Sequence, residues 1–147
     1  MPPQIVVHTL ADAVAALEAA QAAGCAVVLA SAPGAAGYAG PLWFCELAAQ
    51  ARTAVPQAHF TAVLDCADAP GHALAAIRAG VTAIAFTFDG PPAAALRDIA
   101  RQAGVAILAL DYASAFDMQR AGVHDAPTLE ECLTWLRAHA VVDTTPG

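Results

Sequence analysis

Four residues near the middle of the chain carry side chains of the kinds that do chemistry: Asp65, Cys66, Asp68 and His72. Asp65 closes the short apolar run TAVLD, where a strand becomes a loop. A carboxylate there could act as a general acid or base, or bind a metal. It could equally cap the turn through nearby backbone N–H groups. Cys66, Asp68 and His72 add a thiol, an acid and an imidazole, which are divalent-metal donors by type, with zinc the natural candidate. A helix starting early would set Asp68 and His72 on one face. Their spacing nevertheless matches no compact zinc signature. As a nucleophile, Cys66 would need an imidazole within about 3 Å, from His72 or from the more distant His8 or His59. The plainer reading of all four is turn capping and packing, with no cofactor.

A second group lies in the loop at residues 31–40, SAPGAAGYAG. It follows the C-terminal end of an apolar strand, where α/β proteins place ligand loops. Ser31, Gly34, Gly37 and Tyr38 could frame a small molecule, with backbone N–H groups cradling an anion. The loop has no P-loop lysine and no G-x-G-x-x-G, so an ordinary surface turn is the competing reading. Asp89, Asp111 and Tyr112 also follow strands, which would put three acids on one sheet rim with Asp65. Such a rim suits a cation better than a phosphate. His59 begins its strand and belongs to the opposite rim. Trp43 and Trp135 read as packing on helix faces.

The elements that position these residues follow from apolar runs and glycine stops. Short apolar runs at residues 5–7, 26–30, 61–65, 83–88 and 105–110 predict five strands. Helices are expected at 11–23, 41–51, from 70 or 71 to Gly80, and at 93–103. Asp68 is the expected cap of the third of these. Three times a helix closes on glycine directly before an apolar strand, the mark of successive βα units. A short helix at 114–120 with Phe116 inward, and a last helix at 128–139 opened by Thr128 and Glu131 as a capping box, complete the count. The expectation is a single α/β domain over residues 1–140 with a tail at 141–147. Its five parallel strands and covering helices form either a partial TIM-barrel-like sheet or a flavodoxin-like open sheet. A closed eight-stranded barrel needs about 250 residues.

Composition narrows the functional classes. Six Lys+Arg against thirteen Asp+Glu give a formal charge of -7, with no basic cluster to attract nucleic acid or an anionic membrane. No apolar run reaches membrane-spanning length, and no signal peptide is visible. Cys25, Cys45, Cys66 and Cys132 are widely spaced, which reads as reduced thiols in a cytoplasmic protein.

Four stretches resemble the N-terminal strands of class II, fructose-bisphosphate-type aldolases. VHTLADAVAALEAA stands where that family has F-N-V-N-N and an alanine-rich helix, and VVLASAPGAAGYAG is similar to V-I-L-Q-x-S-x-G-x-x-x-Y-A-G. AVLDCAD stands where the family has H-L-D-H-G, and AIRAGVTAIAFTFDG resembles A-I-x-A-G-F-T-S-V-M-x-D-G. The resemblance implies that Asp65 occupies the position of the catalytic acid/base and Cys66 that of a zinc-ligating histidine. The remaining zinc histidines and phosphate loops of the family belong to later strands that have no counterpart here. It therefore implies barrel ancestry without aldolase activity, and a role in binding a small molecule or in assembly. A partial barrel would bare the inward faces at Val63 and Ile84. The helix at 128–139 or a second subunit would have to cover them, so a homodimer is expected. One alternative is a metal-dependent aldolase or lyase completed by dimerisation, using Asp65 and Cys66. Another is a flavodoxin-like receiver or nucleotide-binding module. Receiver function is opposed by the lack of an acidic pair after the first strand and of a lysine after the fifth.

Overall fold

Strand and helix alternate along the chain in the computed structural model, which describes residues 1–119 and 129–140. The elements are β1 (Gln4–Val6), α1 (Leu10–Ala23), β2 (Val27–Ala30), α2 (Ala35–Tyr38), α3 (Pro41–Ala54) and β3 (Phe60–Asp65). They continue with α4 (Pro70–Ala79), β4 (Ala83–Ala85), α5 (Gly90–Ala103), β5 (Ala106–Ile107), β6 (Phe116–Asp117) and α6 (Leu129–Ala140). Thr9 opens α1, its hydroxyl oxygen accepting the Asp12 N–H at 3.1 Å. α1, α4 and α5 each stop at a glycine of positive φ (Gly24, Gly80 and Gly104), which turns the chain into the next strand without a Cβ clash. α4 begins differently from expectation. Its N-cap is Ala69, without a side-chain bond, so Asp68 does not cap it. The expected capping residue Thr128 and the tail at 141–147 lie outside the described residues.

All six strands are parallel, in the order β5-β4-β3-β2-β1-β6. Among the described residues β5 pairs only with β4 and β6 only with β1, so the sheet is open, with β5 and β6 at its two edges. This corrects the partial-barrel expectation in favour of its open-sheet alternative. It also adds a sixth strand. Phe116 does not belong to a short helix; it pairs with Ile5 across the far side of β1.

Side chains alternate across a strand, so each one serves both faces. On one face Ile5, Leu29, Leu64 and Ile84 pack against α1, α3, α4, α5 and α6. On the other, Val28, Val63, Ala83 and Ala85 are buried beneath Leu108 and Leu110. Among the described residues no helix covers this second face. Instead the chain leaving β5 crosses it, from one sheet edge to the other, before entering β6. Gln4 holds this strap with both ends of its side-chain amide: Nε2 donates to the Ala109 carbonyl at 3.1 Å, and Oε1 accepts the Asp111 N–H at 2.8 Å.

Val63 and Ile84 are therefore each 0% exposed within one chain. Ile84 faces the helices and Val63 lies under the strap, which removes the bared face that was the ground for expecting a second subunit. α6 covers neither; it packs against α1 on the helix face. Among the described residues no helix is long and apolar enough to cross a membrane.

Candidate functional site at the C-terminal rim

Asp65 is the last residue of β3 and only 6% exposed. Its neighbours Leu64 and Cys66 point into the helix-face core, so alternation sends its own side chain to the strap face. The carboxylate accepts the Gly34 N–H at 2.7 Å and, more loosely, the Ala67 N–H at 3.4 Å. The Asp65 N–H donates to Ser31 Oγ at 2.9 Å, and the Ser31 hydroxyl donates to the Ala32 carbonyl at 3.0 Å. From the strap, the Tyr112 hydroxyl reaches the Ser31 carbonyl at 2.9 Å. Burial, with the Asp65 charge adding to it, raises the pKa of Tyr112, which stays a hydrogen-bond donor. Ala67, in the turn after Asp65, holds a φ of 51°, the left-handed region that favours glycine. Asp65 thus joins the loop after β2 to the turn after β3, and Tyr112 ties the strap to the same loop through Ser31.

Its sequence neighbours do not share this site. Cys66 points the opposite way into the helix-face core and is fully buried. Burial pushes its thiol up to about 12, with the Asp65 charge in the same direction, which holds it as the thiol and not as a thiolate nucleophile at neutral pH. Asp68 and His72 are exposed, and the His72 ring lies over Gly37, where a Cβ would come within 2.8 Å of Cε1. Among the described residues no three His, Cys, Asp or Glu side chains gather as a metal-ligand set. Zinc held by Cys66, Asp68 and His72 does not fit this arrangement, because Cys66 is buried in the helix-face core while Asp68 and His72 are exposed.

The loop at 31–40 is not an open cradle. The Gly34 N–H is held by Asp65, the Gly37 N–H by the Gly34 carbonyl at 3.0 Å, and the Gly40 N–H by the Ala35 carbonyl at 3.1 Å. Tyr38, at the end of α2, is 70% exposed. Asp89 is the N-cap of α5 and is exposed at the rim. Asp111 is not on that rim: it lies beside Met1, Pro2, Pro3 and Gln4 around a cavity of about 220 Å³ at the N-terminal end of β1. His59 precedes β3 at the N-terminal rim, as its place in the sequence requires.

One constellation at the C-terminal rim escaped the sequence reading. His8 follows β1 and Asp117 ends β6, and their neighbours Val7, Phe116 and Met118 all belong to the helix-face core. Both side chains therefore turn to the strap face, as Asp65 does. His8 Nε2 and Asp117 Oδ1 are 2.8 Å apart, with the side chains 27% and 42% exposed. The same Asp117 oxygen accepts the Gln119 N–H at 2.8 Å. Behind them Asp12, 6% exposed, accepts the His8 backbone N–H at 3.0 Å and Gln119 Nε2 at 3.1 Å. The rule that selected Asp65, an acid at a strand end, would have selected Asp117 had β6 been recognised.

The open parallel sheet and its C-terminal rim define an α/β protein closer to the flavodoxin-like alternative than to a closed barrel. Sheet edges at β5 and β6 overturn the aldolase-barrel resemblance, whose matching stretches record local βα sequence rather than architecture. No family model matches the chain, and no curated protein does. Among solved structures it is similar to a universal stress protein from Archaeoglobus fulgidus, with a TM-score of 0.34 and 19% identity, covering 76% of this chain and 93% of that one.

Proposed function

We propose that the chain is a small-molecule-binding α/β module whose site is the C-terminal rim of the strap face, and that its ligand is uncharged and rich in hydroxyls. The observation that carries the reading is the inward turn of Asp65, His8 and Asp117 at the ends of β3, β1 and β6, above a face whose buried cluster is apolar. Ligands of open α/β sheets dock outside the carboxyl ends of the strands. The described rim residues offer acceptors, and hydroxyls are the donors that match them. The nucleotide-binding reading keeps the same fold and place. A phosphate, however, would need N–H donors that Gly34, Gly37 and Gly40 have already committed, in a chain of net charge -7. The free thiols Cys25, Cys45, Cys66 and Cys132 suit a reducing, cytoplasmic setting.

The test is amide chemical-shift mapping of the full chain with adenosine, D-ribose and xylitol, against AMP and inorganic phosphate. Saturable shifts at His8, Gly34 and Ala67 with a hydroxyl-bearing neutral probe support the reading. Shifts there with phosphate alone, or with none of the five probes, overturn it.

A further inference from the structure

The His8 imidazole is held at one nitrogen, and the way it is held decides which nitrogen is left for chemistry. An ionised carboxylate has only lone pairs to offer, so the nitrogen facing Asp117 must carry the hydrogen. That nitrogen is Nε2, at 2.8 Å. Nδ1 of the uncharged ring is then the one with a lone pair, and it has no hydrogen-bond partner among the described residues. Asp117 cannot rotate freely to release the ring, because the Gln119 N–H bonds the same oxygen. The His8 backbone is fixed in turn by the buried Asp12 carboxylate, which also holds the Gln119 side chain. An imidazole oriented by a carboxylate, with its second nitrogen unpaired and a side chain 27% exposed at a strand end, has the arrangement of a hydrogen-bond acceptor.

We propose that His8 is the hydroxyl-recognising residue of the rim: Asp117 fixes its imidazole as the Nε2–H form, and the Nδ1 lone pair accepts a hydrogen bond from a hydroxyl of the bound ligand. No covalent bond changes in this step; the hydroxyl keeps its hydrogen. This rests on the rim's being the site for a hydroxyl-bearing ligand, and it names the group that recognises that hydroxyl. Asp117 touches no ligand in this scheme and is a positioning residue.

Long-range proton–nitrogen correlation spectroscopy of the uniformly nitrogen-15-labelled full chain, recorded across a pH series, reads both the charge and the tautomer of the ring directly. The expected result without ligand is a single Nε2–H form for His8. In Asp117→Ala it gives way to a mixture of the two forms. An Nδ1–H form, or a mixture in the unmutated chain, overturns the proposal, and this measurement does not depend on any variant folding. D-ribose is then added. A shift of the His8 Nδ1 resonance alongside the rim amides supports the proposal, whereas rim amides that move while Nδ1 stays still overturn it and leave the rim reading standing. If no neutral probe moves the rim amides, the hydroxyl-binding reading fails. The assignment of His8 as hydroxyl-recognising residue falls with it, even where the tautomer is the expected one.

Discussion

The Tyr112 hydroxyl donates to the carbonyl of Ser31, 81 residues earlier in the chain, at 2.9 Å. The bond ties the strap to the loop after β2 at the rim where Asp65 sits. Tyr112→Phe keeps the ring and deletes the bond, and it should lower stability by about 1 kcal/mol, the net worth of a partly buried hydrogen bond. Urea unfolding followed by circular dichroism measures this. An unchanged midpoint would mean that water replaces the hydroxyl at no cost.

Asp65 should matter more, because two backbone donors face its carboxylate. Asp65→Ala leaves the Gly34 N–H without its acceptor and is expected to cost about 1–3 kcal/mol. Hydrogen exchange should localise the effect, with the Gly34 amide losing protection well before the core of β3 does. Uniform loss along β3 would show that Asp65 supports the strand rather than the loop.

Gly34 and Gly37 lie three residues apart and should respond to alanine for different reasons. Gly34 has a φ of +69° and open space around it, so Gly34→Ala is strained by backbone alone, by about 1 kcal/mol. Gly37 is obstructed only by the His72 ring, whose Cε1 would be 2.8 Å from the new Cβ. Because His72 is exposed, it can swing aside. In a His72→Ala background Gly37→Ala should turn neutral or stabilising by about 0.4–1 kcal/mol, through reduced freedom of the unfolded chain. Thermal melts of the four combinations separate the two cases.

The Cys66 thiol gives stability an alkaline limit. Unfolded it ionises near 9.0, folded near 12, so between those values the unfolded chain has released a proton that the folded chain keeps. Its contribution is complete below about pH 9 and is lost as pH rises toward 12. Tyr112 and Cys132, both shifted upward, slope the same way. Cys66→Ala should therefore flatten, without abolishing, the fall in melting temperature across that window. An unaltered slope would show that the folded thiol ionises as freely as the unfolded one.

Leu110 tests the strap itself. It packs with Leu108 over Val28, Val63, Ala83 and Ala85. Leu110→Asp places a charge on that apolar surface and should both destabilise the fold and lift the strap. Light scattering is expected to show self-association growing with concentration. A destabilised chain that remains monomeric would show that the strap stays seated without Leu110.

The first four βα steps and the strand after them were legible, three of the steps because their helices carry a glycine stop. Gly24, Gly80 and Gly104 end helices immediately before apolar runs, and Thr9 caps α1 as its type and place suggest. Sheet closure was not legible, since successive parallel βα units read alike in a barrel and in an open sheet. β6 was missed because its two residues, Phe116 and Asp117, are too few to show alternation. With it went the pairing of His8 and Asp117, 109 positions apart. The grouping of Cys66 with Asp65 failed for a simpler reason: adjacent residues on an extended strand turn to opposite faces.

The segment between β5 and β6 touches both margins of the sheet, and that has a consequence for how the molecule comes apart. Edge strands as short as these would ordinarily fray independently. Here one belt buckles them together through Gln4, Ser31 and the valines beneath it. Loosening it at any point should release both margins in a single cooperative opening, so slow exchange at the β5 side and at the β6 side should report the same event.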